Sequence, residues 1–154
     1  MPHPPLALVL LHASRWFDSQ LLHQLQQRGW PRLGPAQSLV FAHLRDAGVS
    51  PSALARSMGT SRQAAHELVG GLHRLGLLEV VADPARRGGR LVVLTATGRA
   101  LARDAREVLA ALEVPLGMER VEALHELLGA LGTPGAPGSF DRAGTATGGE
   151  QRGT

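Results

Sequence analysis

The chain has 154 residues, 44% of them hydrophobic and 19% charged, which is enough apolar material for one domain with a sizeable core. It contains no Cys, which excludes disulfides, thiolate metal centres and cysteine redox sensing, and its 3% aromatics, with no Tyr, argue against a fold that stacks single-stranded bases. The formal net charge is +3 and every basic residue is Arg; residues 56–106 hold nine Arg against four acidic side chains, whereas residues 107–154 hold three Arg against seven.

A nucleic-acid surface needs such a local positive excess, because phosphate neutralisation supplies most non-specific affinity. The plainer alternative is a solvated basic face. The longest apolar run, Leu6–Leu11, is too short to span a bilayer. Met1–Pro5 carries no Arg and does not open a signal peptide. A soluble cytoplasmic protein is the expectation.

In chain order, Leu6–Arg28 reads as a long amphipathic helix with Leu10, Leu11, Phe17, Leu21, Leu22 and Leu25 at helical spacing, stopped by Gly29 and Pro31. Gly34-Pro35 opens a second helix with Leu39, Val40 and Leu44 on its apolar face, ended by Gly48. Ser50 caps a short third helix running to about Met58, with Leu54, Ala55 and Met58 turned inward. Thr60-Ser61-Arg62-Gln63 has the capping-box pattern for a fourth helix running to about Leu75. Its buried stripe is expected to be Ala65, Leu68, Val69, Leu72 and Leu75.

Two β-rich runs follow, Leu77–Ala82 and Arg90–Leu94, around the turn-forming segment Asp83–Gly89. Thr95 or Thr97 caps a fifth helix, roughly Gly98–Glu113, terminated by Pro115. Glu119–Leu131 is a sixth, with Val121, Leu124, Leu127, Leu128 and Leu131 apolar. Residues 133–154, rich in Gly, Pro and Thr, are expected to form a disordered tail after a single domain at 1–132.

This order predicts a mainly α winged helix-turn-helix, with the motif at about 51–76 and a β-hairpin wing at about 77–95. In such motifs the second helix enters the major groove and its N-terminal residues reach base edges. Arg62, Gln63 and His66 fall opposite the buried stripe. Arg is suited to guanine O6/N7 and Gln to adenine N6/N7. Thr60 and Ser61 can meet phosphates near the helix N-terminus. Arg86, Arg87 and Arg90 at the hairpin suit backbone or minor-groove contact. The expected partner is double-stranded DNA.

The segments Leu54–Gln63, Leu68-Val69 and Leu72–Leu78 resemble the helix-turn-helix core of the multiple-antibiotic-resistance regulator (MarR) family. Asp83–Leu101 resembles that family's wing and the start of its fifth helix, with Leu94-Thr95-Ala96-Thr97-Gly98 as the most specific element. The resemblance covers roughly residues 6–131. It implies a homodimer held by the terminal helices, a pseudo-palindromic operator, and a small-molecule effector that lowers DNA affinity. By the same analogy an effector pocket would lie where helices 1, 2 and 5 meet, lined by His12, Arg15, Trp16 and His43. The alternative places Trp16 in the core and Arg15 on the surface.

The chain departs from the family in its wing. An acidic residue followed by Arg is common shortly before the last strand; here Arg86 occupies the acidic position and Gly88 follows Arg87. The bracing ion pair is then missing or re-formed with Asp83. Gly70 and Gly71 sit inside the recognition helix, each costing about 1 kcal/mol relative to Ala. They serve either close backbone approach or a looser helix.

No enzyme is expected: Ser14, Ser19 and Ser38 lack nucleophile-elbow glycines, and Gly88-Gly89 is not a phosphate loop. Seven His residues show no HxxxH or HExxH spacing, so neither metal nor cofactor is expected. The competing readings are a winged-helix protein-interaction module and a dimer of this type without an operator.

Overall fold

The computed structural model describes residues 3–131; the sequence-predicted tail at 133–154 lies outside them. The described chain forms α1 (Leu6–Gln27), α2 (Pro35–His43), α3 (Pro51–Ser57), α4 (Arg62–Arg74), β1 (Leu78–Ala82), β2 (Arg90–Leu94), α5 (Ala96–Glu113), a 3-10 turn at Val114–Leu116, and α6 (Met118–Gly129). This is the mainly helical winged helix-turn-helix read from the sequence.

The apolar periodicities converge on one core. Leu21 and Leu25 of α1, Val40 of α2, Leu54 of α3, Val69 and Leu72 of α4, Val92 of β2, and Leu101 and Val108 of α5 are buried together. Full burial of a Leu is worth about 1.5–3 kcal/mol, so Leu54, Leu72, Leu77, Leu78 and Leu101, each at 2% exposure or less, fix how the helix-turn-helix seats on the hairpin and α5. The hairpin pairs antiparallel from Leu78↔Leu94 to Ala82↔Arg90. Val49 adds a bridge to Val92, its N–H donating to the Val92 carbonyl at 3.1 Å and its carbonyl accepting in return at 2.8 Å.

That bridge corrects the second helix. It stops at His43 rather than continuing toward Gly48, because Leu44 turns extended (φ −83°, ψ 143°) and the chain must reach β2. The cap of α4 is also shifted by one residue. Ser61, not Thr60, is the N-cap, accepting from the Ala64 N–H at 3.1 Å, and the Gln63 side chain bonds elsewhere. Leu75 does not belong to the buried stripe: it follows the last helical residue and is 41% exposed.

Thr95 is the cap of α5, accepting from the Gly98 N–H at 3.0 Å. The α1 and α5 helices pack along one another, and the segment just past α1 is tied to α5 by a hydrogen bond from Trp30 Nε1 to Asp104 Oδ2 (2.8 Å) and an exposed Arg28–Glu107 ion pair (3.3 Å).

Two faces remain uncovered. No residue of α6 is buried. Leu6, Leu8, Val9, Leu11 and Trp16 of α1 are exposed, as are Val114, Met118, Leu124, Leu127 and Leu131 near the C-terminal end. Trp16 at 50% exposure is outside the core, against the alternative considered for it, and its ring meets Phe17 edge-on at 5.0 Å. Among the described residues no helix is long and apolar enough to cross a membrane.

Candidate nucleic-acid interface

A short helix and a tight turn place α4. Ser50 caps α3 by accepting from the Ala53 N–H at 3.3 Å, and Pro51 suits the first helical position. The chain then reverses at Gly59, whose φ of +63° is the left-handed conformation that favours glycine, and the Thr60 N–H closes back on the Ala55 carbonyl at 3.0 Å. Leu54 and Ala55 on one side and Ala65, Val69 and Leu72 on the other are buried, fixing α4 against α3. The other side of α4 faces outward.

On that side, Arg62, Gln63 and His66 line a groove of about 740 Å³ with Ser50, Pro51 and Ser52 of α3 and with Asp83 and Arg86–Arg90 of the wing. Six of the eight residues singled out from the sequence therefore line one concavity: Arg62, Gln63, His66, Arg86, Arg87 and Arg90. Ser61 stands at the N-cap beside them. Its hydroxyl oxygen accepts the Ala64 N–H and its own proton stays available to an acceptor. Thr60 sits half-buried in the turn and does not line the groove.

Ser50 and Ser52, read from sequence as helix-start residues or not at all, also reach the groove, their hydroxyls 3.4 Å apart. The Ser-Pro-Ser spelling of the α3 start was the available signal.

The groove is electropositive. Among the described residues, none of Arg62, Arg86, Arg87 and Arg90 is in an ion pair. The acid nearest the wing tip, Asp83, is otherwise engaged: its carboxylate accepts the Ala85 N–H at 2.9 Å. The Asp83 N–H donates to the Gly89 carbonyl at 2.9 Å, and the Gly89 N–H donates to the Arg86 carbonyl at 2.8 Å. The wing is thus braced through its backbone, and the ion pair considered for Asp83 does not form. This leaves the guanidiniums free for phosphate or base-edge acceptors.

The paired glycines of α4 separate in role. A Cβ at Gly71 would come within 3.0 Å of Gln37 Nε2, the end of a side chain on α2, which would have to give way. At Gly70 the nearest atom would be the Arg74 guanidinium at 3.6 Å, ordinary contact.

A second groove, of about 600 Å³, lies between α1 and the segment leading into α2. It is lined by Arg15, Asp18, Leu22, His23 and Gln26 together with Arg32 and Leu33. Of the four residues suggested for an effector pocket, Arg15 lines this groove; His12 and Trp16 are exposed elsewhere on α1, and His43 sits at the end of α2.

A sequence model of the MarR family matches residues 33–87, from the approach to α2 to the wing tip. In structure the chain is similar to apo MarR from E. coli, with 22% identity and a TM-score of 0.64 over 84% of this chain and 97% of that one. It is similar to CouR from Rhodococcus jostii RHA1 bound to p-coumaroyl-CoA, with 24% identity and a TM-score of 0.64 over 82% and 90%. It is also similar to a probable transcriptional regulator from Pseudomonas aeruginosa, with 24% identity and a TM-score of 0.63 over 82% and 96%. No curated protein matches it in sequence. The fold is that of MarR winged-helix regulators, and the helix-turn-helix core carries that family's sequence signature.

Proposed function

We propose that this chain, MarR-like in fold and in the sequence of its helix-turn-helix core, is a homodimeric, sequence-specific double-stranded DNA-binding regulator that represses transcription from a pseudo-palindromic operator in the cytoplasm. The observation that carries the reading is the shared groove of α4 and the wing, which gathers four guanidiniums outside any ion pair among the described residues. Arg62 and Gln63 at the start of α4 are the base readers; Arg86, Arg87 and Arg90 grip the phosphate backbone or the minor groove.

The dimer rests on the uncovered apolar faces. α6 buries nothing, and Leu124, Leu127 and Leu131 stand exposed together with Leu6, Val9 and Leu11 of α1. Exposed large apolar side chains in this number favour a contact surface, and in this reading a second copy covers them in a twofold arrangement that mirrors an inverted repeat. The two α4 helices then enter successive major grooves about 34–36 Å apart, roughly 10 base pairs or a small multiple.

In this reading an effector occupies the groove between α1 and the α2 approach, where Arg15 and Arg32 outnumber Asp18 among the charged lining residues and favour an anionic compound. CouR, the relative bound to p-coumaroyl-CoA, sets the precedent for a ligand on this fold. Such a compound lowers DNA affinity only by binding the non-DNA-bound dimer geometry more tightly than the bound one.

The experiment is selection of genomic fragments by the purified protein followed by footprinting. The expected result is protection of a few inverted repeats. Uniform weak retention of all fragments would contradict a specific regulator.

A further inference from the structure

Resting on the DNA-binding reading, we propose that Gln63 and Glu67 form one base-reading unit, in which Glu67 both aims the Gln63 amide and rejects guanine and thymine at one position of each half-site. The two side chains stand four residues apart on the exposed face of α4, and Gln63 Nε2 donates to Glu67 Oε1 at 3.0 Å. This contact takes one of the two amide N–H groups. The second N–H and Oε1 remain free, and together they are the complement of adenine N7 and N6. Glu67 thereby holds Gln63 with its amide assigned, so less rotamer freedom is lost on meeting the base.

Glu67 also acts in its own right. An ionised carboxylate is an acceptor only. The major-groove edges of guanine (N7, O6) and thymine (O4) offer it no donor, whereas cytosine N4 and adenine N6 do. Glu67 is exposed one turn beyond Gln63, at the edge of the groove that Arg62, Gln63 and His66 line, and is not itself among the lining residues. Against phosphates it adds repulsion rather than affinity, so its contribution lies in discrimination.

The test is selection from a randomised duplex library by wild type, Glu67→Gln and Gln63→Ala, with the folded state of each checked by circular dichroism. Glu67→Gln keeps the shape and supplies a donor. It is expected to admit guanine or thymine at one wild-type-excluded position per half-site, with a preference change on the order of tenfold there. Gln63→Ala is expected to lose the adenine preference at the neighbouring position. A base preference unchanged by Glu67→Gln, with affinity rising equally on all DNA, would overturn the unit and leave Glu67 a repulsive surface charge. A wild-type selection with no base preference at all would instead overturn the DNA-reading function beneath it.

Discussion

Thr95 Oγ1 donates a 2.6 Å hydrogen bond to the carbonyl of Gly76, tying the start of α5 to the turn that follows α4. The same hydroxyl oxygen caps α5 by accepting from the Gly98 N–H, and Gly98 lies so close to the Leu77 carbonyl that a Cβ there would overlap the oxygen. The Leu-Thr-x-x-Gly spelling thus makes a rigid joint between the helix proposed to read DNA and the helix that leads to the apolar α6.

Gly98→Ala should accordingly destabilise by at least about 2 kcal/mol, because the obstacle is backbone rather than a movable side chain. Thr95→Ala should cost about 1–2 kcal/mol through the lost cap. Thermal unfolding at one fixed protein concentration checks both, since a dimer's midpoint depends on concentration.

Gly70→Ala and Gly71→Ala should part company. The first gains about 1 kcal/mol of helix propensity with nothing to displace. The second gains less or nothing, because the Gln37 amide must withdraw from 3.0 Å. Denaturant midpoints of the two variants against wild type provide the comparison.

Arg62 and Arg87 should fail differently. Arg62→Ala is expected to lose about 1–3 kcal/mol of discrimination at one base position. Arg87→Ala is expected to weaken all sequences alike and reduce the salt slope by about 1. Titrations of matched and mismatched duplexes at several salt concentrations separate the two.

Leu127→Glu places a charge on an α6 face where Leu127 is 69% exposed, so the monomer fold should survive. The expected outcome in light scattering is a shift toward monomer, with operator affinity falling by at least tenfold as the second half-site contact is lost. An unchanged dimer would place the interface elsewhere.

The fold was legible because its signals are local and redundant. Pro35, Ser50-Pro51 and Thr95 mark helix starts, Gly59 and Gly76 mark ends, and the stripe through Ala65, Val69 and Leu72 fixes the inward face of α4. Errors arose where a long-range contact decides a local outcome. The end of α2 is set by Val49 pairing with Val92, 43 positions on. The cap of α4 is a different kind of miss, a choice between adjacent candidates: Ser61 accepts the Ala64 N–H, and the Gln63 side chain bonds Glu67 within the same helix instead of reaching back to Thr60.

The basic residues of the groove were recoverable from helix phase and hairpin position. The second groove was not: lying between α1 and residues 32–35, it depends on how two segments pack, which periodicity within either segment does not encode.

The most direct test of the central claim is competition binding of the wild-type protein to a footprinted inverted repeat against unrelated duplex at two salt concentrations, repeated with Arg62→Ala. The account predicts a specificity ratio of about a thousandfold or more, sharply reduced in the variant while the salt dependence stays close to that of wild type. A wild-type ratio near one, with affinity that simply falls with salt on every sequence, would contradict it.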